Sequence, residues 1–488
     1  MKKNSSKPKK KVWKYIRRAF LIYLAFILAG STIPYLFSAK VSDDAKDQFT
    51  QTAYYSETTG PERAALIETP EEALAIRIQL LRSAEHTLDI SYLSMDEGET
   101  TSVFMAELLA AADRGVQIRL ILDGKVGCLS RSVSTTLSYL NSHENISVKL
   151  YNTVNLLTPW KWHALLHDKF ILADQEYLLL GGRNLNDKYF APESYDDAIT
   201  NDRDVLIWNT RPDSTAEESA VLQAAAYMEI IWDARESSDK SQKTSNSGME
   251  KLRSELEQTA GTFEIQNKRF YEITMSDFQA QTVATNKVTL ISNPVHTYKK
   301  EPWVGYQLYL LGMESSAVTI QTPYATANKG LLNSLTEITN GDASVTMITN
   351  SLASTPNFPA FSNYYTQRQK FLDTDISIYE YQSTHSIHGK SIIFDNRLSA
   401  VGSLNLDDRS LYIDTETMLL IDSEEFAAIL GGAIADIQKE SLLVASDNIY
   451  EGSTGVPEAP VSSAKKVLIY IVSLISRPFG FLMETNMI

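Results

Sequence analysis

Histidine and lysine recur two residues apart at two places in the sequence, and each time an aspartate and an asparagine follow at the same spacing. The pattern at both places is HxKxxxxD, with the asparagine ten residues after the aspartate. The matching pairs are His167 and His388, Lys169 and Lys390, Asp174 and Asp395, and Asn184 and Asn405. Every pair is separated by the same 221 residues, which indicates an internal repeat rather than two unrelated matches.

The residue types in this repeat suit phosphodiester chemistry. A short apolar tract follows each lysine and predicts a buried β-strand, so the histidine and lysine of each copy point to the same face. If the two copies face each other, two imidazoles, two ammonium groups and two amides surround one small volume. Phosphodiester transfer needs a nucleophile, an acid for the leaving alkoxide, and cations or amides on the non-bridging oxygens. This set requires no metal, and we expect no cofactor.

The duplicated motif resembles the hallmark of the phospholipase D superfamily. The segment Gly181–Phe190, GGRNLNDKYF, is similar to a segment of bacterial C-type cardiolipin synthases, and the resemblance extends from about Pro70 to the end of the chain. The second copy has GSLN from Gly402 to Asn405, whereas the first has GGRN and lacks the serine hydroxyl. The resemblance implies two similar α/β domains packed around one active site at their interface.

The resemblance also implies a role for most residues of the motif. One histidine attacks phosphorus to form a phosphohistidine, and the other protonates the departing alcohol and then activates the incoming alcohol or water. The residues themselves leave this assignment open, and the family favours His167 over His388 as the nucleophile. The side chains expected to hold the non-bridging oxygens are those of Lys169, Lys390, Asn184 and Asn405, and the hydroxyl of Ser403 is expected to join them.

Four acidic residues are candidates for supporting roles. Asp174 and Asp395 complete the catalytic motif, but we expect them to bond local backbone or a basic side chain. A different acid should orient each imidazole through its second nitrogen. In this superfamily that acid lies on the strand after GSxN, where Glu416 stands; the predicted counterpart in the first half is Asp204, after an insertion. Ordinary edge-strand acids are the alternative interpretation of Glu416 and Asp204.

The elements that must position these residues alternate between strand and helix in both halves. This rhythm over residues 86–122 and again over 304–379 predicts largely parallel sheets covered by helices. The predicted division is a basic cytoplasmic segment (1–18), a transmembrane anchor (19–39), a linker (40–64), a first phospholipase D-like domain (65–235), a linker or surface excursion (236–262), a second such domain (263–450) and an apolar membrane-interacting tail (463–488).

The N-terminal region is typical of a membrane anchor. Lys2–Arg18 contains nine Lys or Arg residues and no acid, and Ala19–Ala39 is uncharged over about the length that a bilayer requires. The positive-inside rule places the basic end in the cytoplasm and the catalytic domains on the extracytoplasmic side of the cell membrane. The alternative is a cleaved signal peptide, with Phe37–Ala39 at the cleavage site. The length of the apolar run favours a single-pass anchor.

Charge bears on the substrate. The net charge is −15, and without the nine positive charges at the N-terminus the remainder carries about −24, so we expect no nucleic-acid partner. The expected partners are the membrane and phospholipid substrates, phosphatidylglycerol and also phosphatidylethanolamine. The predicted function is a membrane-bound phosphatidyltransferase, a cardiolipin synthase. The alternatives are a phospholipase D that releases phosphatidic acid, a nuclease or other phosphodiesterase of the superfamily, and a non-catalytic lipid-binding protein, against which both intact motifs argue.

Overall fold

A computed structural model of the chain describes residues 7–37, 39–446, 449–451 and 455–480. Several predicted segments lie partly outside the described residues: 1–6 of the basic segment, 38 of the anchor, 447–448 of the second domain and 481–488 of the tail.

The first half of the chain contains a long N-terminal helix and an α/β domain. Its helices are α1 (Lys7–Thr32), α2 (Asp43–Lys46), α3 (Pro70–Ser83), α4 (Glu99–Asp113), α5 (Arg131–Leu140), α6 (Ala220–Trp232), α7 (Asn246–Gln266), α8 (Arg269–Glu272) and α9 (Met275–Gln281). Its strands are β1 (Glu62–Ile67), β2 (Thr87–Tyr92), β3 (Gln117–Asp123), β4 (Ile146–Tyr151), β5 (Phe170–Ala173), β6 (Tyr177–Gly181), β7 (Thr200–Asn201), β8 (Asp204–Asn209), β9 (Ser237–Asp239) and β10 (Val283–Ala284).

The second half repeats this plan and ends in an apolar helix. Its helices are α10 (Trp303–Met313), α11 (Lys329–Asn340), α12 (Phe358–Leu372), α13 (Asp408–Tyr412), α14 (Glu424–Lys439) and α15 (Ser463–Gly480). Its strands are β11 (Lys287–Ser292), β12 (Ala317–Gln321), β13 (Ser344–Asn350), β14 (Ser377–Tyr381), β15 (Ser386–Ile387), β16 (Ser391–Phe394), β17 (Leu398–Gly402), β18 (Thr417–Asp422), β19 (Ser441–Ser446) and β20 (Ile449–Tyr450).

Each half is built on one large mixed sheet. The strand order is β10-β1-β8-β6-β5-β2-β3-β4-β9 in the first sheet and β11-β18-β17-β16-β12-β13-β14-β19-β20 in the second. Within the described strands of these two sheets, only β2-β3-β4 and β12-β13-β14 are parallel. The prediction of largely parallel sheets is therefore wrong, because each motif lies on an antiparallel hairpin, β5-β6 or β16-β17, in the middle of its sheet.

The two sheets pack face to face. Apolar side chains from β5, β6 and β8 share one buried cluster with those from β16, β17 and β18, together with α6 and α14. The outer face of each sheet is covered by the other helices of its own half. This arrangement confirms the predicted α/β fold with two similar halves, and α1 supplies the apolar N-terminal helix.

Two predicted linkers are more structured than their polar composition suggests. Within the predicted excursion (236–262), α7 forms a helix on the first domain, and Phe263, Phe270 and Phe278 are buried in that domain's core. Because β10 also pairs with β1, the boundary predicted at residue 263 is too early, and the second sheet begins with β11. The predicted linker at 40–64 likewise holds Tyr54, which is buried with its hydroxyl donated to Gln307 Oε1 at 2.5 Å.

Asp174 and Asp395 lie in the hairpin turns that follow the motif strands. Both have a left-handed backbone, with φ of 53° and 48°, which Asp tolerates better than most residues. The carboxylate of Asp174 accepts the backbone N–H groups of residues 85, 86 and 87 at 2.7–2.8 Å. That of Asp395 accepts the N–H groups of residues 316 and 317 at 2.8 and 2.9 Å. These contacts tie each hairpin to the start of the neighbouring strand, as expected from the sequence for a structural role.

We expect Asp174→Ala to lower the free energy of unfolding by about 2 kcal/mol, because three backbone donors lose a charged acceptor and alanine tolerates the left-handed turn poorly. Asp174→Asn should cost less, since asparagine retains an acceptor and adopts this backbone. Denaturant unfolding measures both changes. An alanine variant of unchanged stability that had lost its turnover would contradict the structural role.

Candidate active site

The two motif histidines lie where the halves of the chain meet. His167 precedes β5, and its N–H donates to Thr415 Oγ1 at 3.0 Å. His388 precedes β16, and its N–H donates to Asn201 O at 2.6 Å, next to the parallel pairing of β15 with β7. Each motif strand therefore enters the interface paired with a segment of the opposite half.

Both histidines open onto one cleft of about 850 Å³. Asn184 and Asn405 line it as well, so the structure brings four of the predicted residues to a single surface. Each asparagine is largely buried, and its side-chain Oδ1 has no hydrogen-bond partner. The Nδ2 group of each asparagine, and not this oxygen, can donate to the oxygens of a ligand beside the two imidazoles.

An acid stands behind each imidazole, and each comes from the opposite half of the chain. Glu416 Oε1 lies 2.9 Å from Nδ1 of His167, at ion-pair distance but without the alignment of a hydrogen bond. Asp202 Oδ2 lies 2.6 Å from Nδ1 of His388. Both carboxylates are fully buried. The contact occupies Nδ1 and leaves Nε2 of each ring for chemistry, although Lys390 Nζ lies 3.1 Å from Nε2 of His388.

The prediction that Asp204 orients an imidazole is wrong. Its carboxylate instead accepts N–H groups of Arg77 and Arg183 at 2.9 and 3.0 Å in the core of the first domain. The register shows why: the N–H of Gly182 donates to Arg203 O as that of Ser403 donates to Thr417 O. Asp202 therefore matches Glu416.

That register could not be read from the sequence alone. Asn201-Asp202-Arg203-Asp204 offers two acids on the same face of a strand after an insertion of unknown length. Only the pairing of the strands decides between them.

Ser403 supports Glu416 rather than facing the cleft. Its hydroxyl donates to Glu416 Oε2 and accepts the N–H of Thr417 at 3.0 Å, so its one proton is already committed. The equivalent residue in the first half is Gly182, where a Cβ atom would lie 2.3 Å from Asp202 Oδ1. The serine of GSLN thus accompanies the longer acid, Glu416, and the second glycine of GGRN accompanies the shorter acid, Asp202.

The two motif lysines are buried beneath the histidines. Lys169 Nζ donates to the carbonyl of His167, and Lys390 Nζ donates to that of His388 at 2.6 Å. Burial lowers the pKa of Lys169 to about 7 and that of Lys390 to about 8. Both amines therefore change charge near neutral pH, where an anionic ligand would favour the protonated forms.

The environments of the two imidazoles differ. Burial and then the charge of Lys169 lower the pKa of His167 well below its usual value, and burial and then Lys390 lower that of His388 to about 3. Burial alone would raise the pKa of Asp202, but Lys390 and His388 hold it below its usual range. The carboxylate of Asp202 at 2.6 Å acts in the opposite direction and raises the pKa of His388, but by less than burial and Lys390 lower it.

The rest of the cleft contains residues that the motif does not identify. The rings of Tyr189 and Tyr324 lie 5.8 and 6.1 Å from that of His388. The lining of the cleft also includes Lys188, Arg409 and an acidic group consisting of Asp407, Asp408 and Asp414. Burial raises the pKa of Asp407 to about 6 and that of Asp408 to about 7. In the described part of the chain, no three His, Cys, Asp or Glu side chains are grouped as a metal site.

We expect kcat/KM to fall as the pH rises above about 7. The lowered pKa values of Lys169 and Lys390 mean that the free enzyme loses both ammonium charges well below the usual value of about 10.4. A neutral amine stabilises a phosphoryl oxygen less well. Because a bound phosphodiester anion favours the charged amines, kcat should fall only at higher pH. Profiles of both constants at fixed ionic strength test this, and a kcat/KM that stays constant from pH 7 to 9 would contradict it.

Comparison with known proteins identifies related sequences. A sequence model of the family described as "Cardiolipin synthase, PLD-like domain" matches residues 77–211 and 310–434. Cardiolipin synthase C of Escherichia coli (strain K12) is 24% identical over 404 residues, covering 75% of this chain and 82% of that protein. An uncharacterized protein of Helicobacter pylori (strain ATCC 700392 / 26695) is 25% identical over 421 residues, 78% of this chain and 80% of its own length.

Among solved structures, the phosphatidylserine synthase of Haemophilus influenzae Rd KW20 superposes with a TM-score of 0.62. The match covers 90% of this chain and all of that one. At 13% identity, this likeness concerns the fold alone.

Proposed function

The chain belongs to the cardiolipin synthase, phospholipase D-like family, an enzyme family of the phosphatidyltransferase type, and from that premise we propose that it is a membrane-bound cardiolipin synthase acting through a phosphohistidine. The observation that carries the proposal is the pair of imidazoles on one cleft, each backed by a buried carboxylate from the opposite half. The similarity to cardiolipin synthase C over most of both chains supports the choice of substrate class.

In the first step, Nε2 of one histidine attacks the phosphorus of a phospholipid. The P–N bond forms as the bond between phosphorus and the headgroup oxygen breaks, and the second histidine donates its proton to the departing alkoxide. The charge that builds up on the non-bridging oxygens is stabilised by Lys169, Lys390 and the amides of Asn184 and Asn405.

In the second step, the second histidine removes the proton of an acceptor hydroxyl. The acceptor oxygen attacks phosphorus, the P–N bond breaks, and both imidazoles return to their starting state. When phosphatidylglycerol is both donor and acceptor, the products are cardiolipin and glycerol. Phosphatidylethanolamine as the donor would release ethanolamine instead.

We assign the nucleophile to His167 and the acid to His388. The carboxylate of Asp202 stays ionised at 2.6 Å from His388 and stabilises an imidazolium there. Glu416 accepts a hydrogen bond from the hydroxyl of Ser403, and burial raises the pKa of its carboxyl group. This environment favours a neutral His167. A nucleophile must be neutral and an acid protonated, and the ionised Asp202 opposes the lowering of the pKa at His388, whereas the raised pKa of Glu416 gives His167 less support.

The acidic lining of the cleft bears on the rival substrates. Asp407, Asp408 and Asp414 are among the residues that line the cleft, beside Arg409, which lies 3.4 Å from Asp414. Asp408 and Asp414 are buried. A cleft lined by several carboxyl groups disfavours a polyanionic nucleic acid and favours a lipid carrying one phosphodiester group. In this proposal the catalytic domains lie on the extracytoplasmic side of the membrane, because the basic N-terminal segment is expected in the cytoplasm.

The test is to incubate the purified full-length protein, in mixed micelles without added metal, with phosphatidylglycerol alone or with phosphatidylethanolamine. Lipid products are resolved by mass. We expect cardiolipin from the wild type and none from His167→Ala or His388→Ala. Phosphatidic acid as the sole product would assign the enzyme to the hydrolases, and absence of lipid turnover combined with cleavage of a nucleic acid would refute the lipid assignment.

A further inference from the structure

The loop that leads into the first motif is fastened along the side of α1. This anchor loop, residues 153–162, follows β4 and includes a 3-10 turn, Pro159–Lys161. Tyr23 donates its hydroxyl to Leu156 O at 2.9 Å, and the ring of Phe26 meets that of Trp160 edge-on at 6.2 Å. Gly30 packs so closely on Pro159 that a Cβ atom there would lie 2.5 Å from the proline ring. The loop therefore packs along the side of α1, from Tyr23 to Gly30, and not only at the end of the helix.

The outer surface of the anchor loop is apolar. Val154, Leu156 and Leu157 are 60%, 58% and 71% exposed, and no charged residue occurs from 153 to 160. Three large aliphatic side chains exposed together on a loop of an otherwise acidic protein indicate an apolar partner. Trp160 and Trp162, at the base of the loop, are of the type enriched where protein meets the surface of a bilayer.

The loop also satisfies much of its own hydrogen bonding. The side chain of Asn155 accepts the N–H of Leu157 at 2.9 Å, and the carbonyl of Asn155 accepts the indole N–H of Trp162 at 2.8 Å and the N–H of Thr158 at 3.2 Å. Internal pairing of this kind lowers the cost of placing an irregular backbone in hydrocarbon.

The length of α1 determines the depth of the loop. The helical segment that could span a membrane is Val12–Tyr35, and its uncharged part begins at Ala19. Tyr35 is buried against the second half of the chain. To cross the roughly 30 Å of hydrocarbon, α1 must use its residues up to about Thr32. Tyr23 lies roughly 13 Å before that end, so the loop at its level is below the membrane surface.

We propose that the anchor loop inserts into the hydrocarbon of the bilayer beside α1, with Val154, Leu156 and Leu157 in contact with lipid chains. The catalytic unit is then partly embedded in the membrane rather than tethered above it. This inference concerns membrane contact and does not depend on the reaction proposed above.

Insertion of the loop sets the position of the cleft. At the base of the loop, His163 Nε2 lies 2.9 Å from Ser31 O near the end of α1, and the carbonyl of His163 accepts an N–H from Arg409, which lines the cleft. Four residues later the chain reaches His167. This side of the cleft is thus held near the end of the span, where phospholipid headgroups lie, so a lipid could reach the histidines without leaving the bilayer.

The test uses the single cysteine of the chain. In a Cys128→Ser background, Leu157→Cys is labelled with the fluorophore NBD, and the full-length protein is reconstituted in phosphatidylcholine vesicles carrying a spin label either on the headgroup or deep in the acyl chain. The matched control is Ile265→Cys, because Ile265 is 73% exposed on α7 and Leu157 is 71% exposed. Val154→Cys provides a second site in the loop.

We expect blue-shifted emission from the labels at Leu157 and Val154, with more quenching by the deep spin label than by the headgroup label. The label at Ile265 should emit as in water and lose no intensity with either lipid. Quenching of the two loop labels only by the headgroup label, or by neither, would overturn the proposal. These readouts need no turnover, so they stand apart from the identity of the reaction.

Discussion

Alanine in place of His167 is expected to reduce phosphatidyl transfer by about 10⁴-fold or more and to leave no covalent phosphoenzyme, because the atom that bonds to phosphorus is gone. His388→Ala should also be strongly impaired on phospholipids, whose leaving alkoxides need a proton. It should nevertheless accumulate phosphoenzyme on His167 from a p-nitrophenyl phosphodiester, whose leaving group departs without one. Intact-mass measurement after rapid quenching, followed by mapping of the acid-labile adduct, reads out both variants.

His143→Ala is the control, since His143 pairs with Asp113 at 3.2 Å on the surface, outside the cleft. It should turn over like the wild type. An adduct on His388 in the His167→Ala variant, and none in His388→Ala, would reverse the assignment of the two histidines. An adduct on neither would remove the phosphohistidine from the mechanism.

Replacing Asp202 by asparagine should lower activity but not stability, and replacing Asp204 by asparagine should lower stability but not activity. Asp202→Asn is expected to lower kcat by about 10³- to 10⁴-fold with little change in stability, because the amide cannot stabilise an imidazolium at His388 or fix its tautomer. Asp204→Asn should instead lower the free energy of unfolding by about 3–5 kcal/mol, because it leaves Arg77 and Arg183 buried without a carboxylate.

Both variants should be measured by denaturant unfolding and by turnover per folded molecule, so that each serves as the control of the other. Folded Asp204→Asn should retain nearly wild-type kcat. If the losses were interchanged, Asp204 would be the orienting acid, and the geometry described for Asp202 would not be that of the working enzyme.

The residues that could be predicted from the sequence are those whose relation is local or repeated. The spacing of His167 and Lys169 on one strand, and its repetition at His388 and Lys390, needed only the alternation of side chains along a strand. The α/β fold followed from the alternation of strand and helix patterns and from the family resemblance. The placement of Glu416 and Asp202 beside the imidazoles depends on the strand register, in the first half after an insertion. The sequence pointed to Glu416 but not to Asp202.

What sequence reasoning missed depends on contacts between distant segments. The polar stretch before α7 indicated a linker, yet Phe263 and the helix around it pack on the first domain. Ser403 looked available to a substrate until its hydroxyl was found on Glu416. The sequence did not identify the anchor loop for the same reason. Its apolar residues indicate membrane contact only when the loop is known to pack beside α1.

The two carboxylates beside the imidazoles, Glu416 and Asp202, each come from the opposite half of the chain, and this has a consequence for the synthesis of the protein. His167 emerges from the ribosome about 250 residues before Glu416, and Asp202 a similar distance before the end of the second domain. An N-terminal half that folds first therefore exposes a histidine without its acid and an acid without its histidine. On the proposed function, a nascent or truncated chain sitting in the membrane cannot attack the lipids around it. Phosphatidyl transfer begins only when both halves of the polypeptide have folded together.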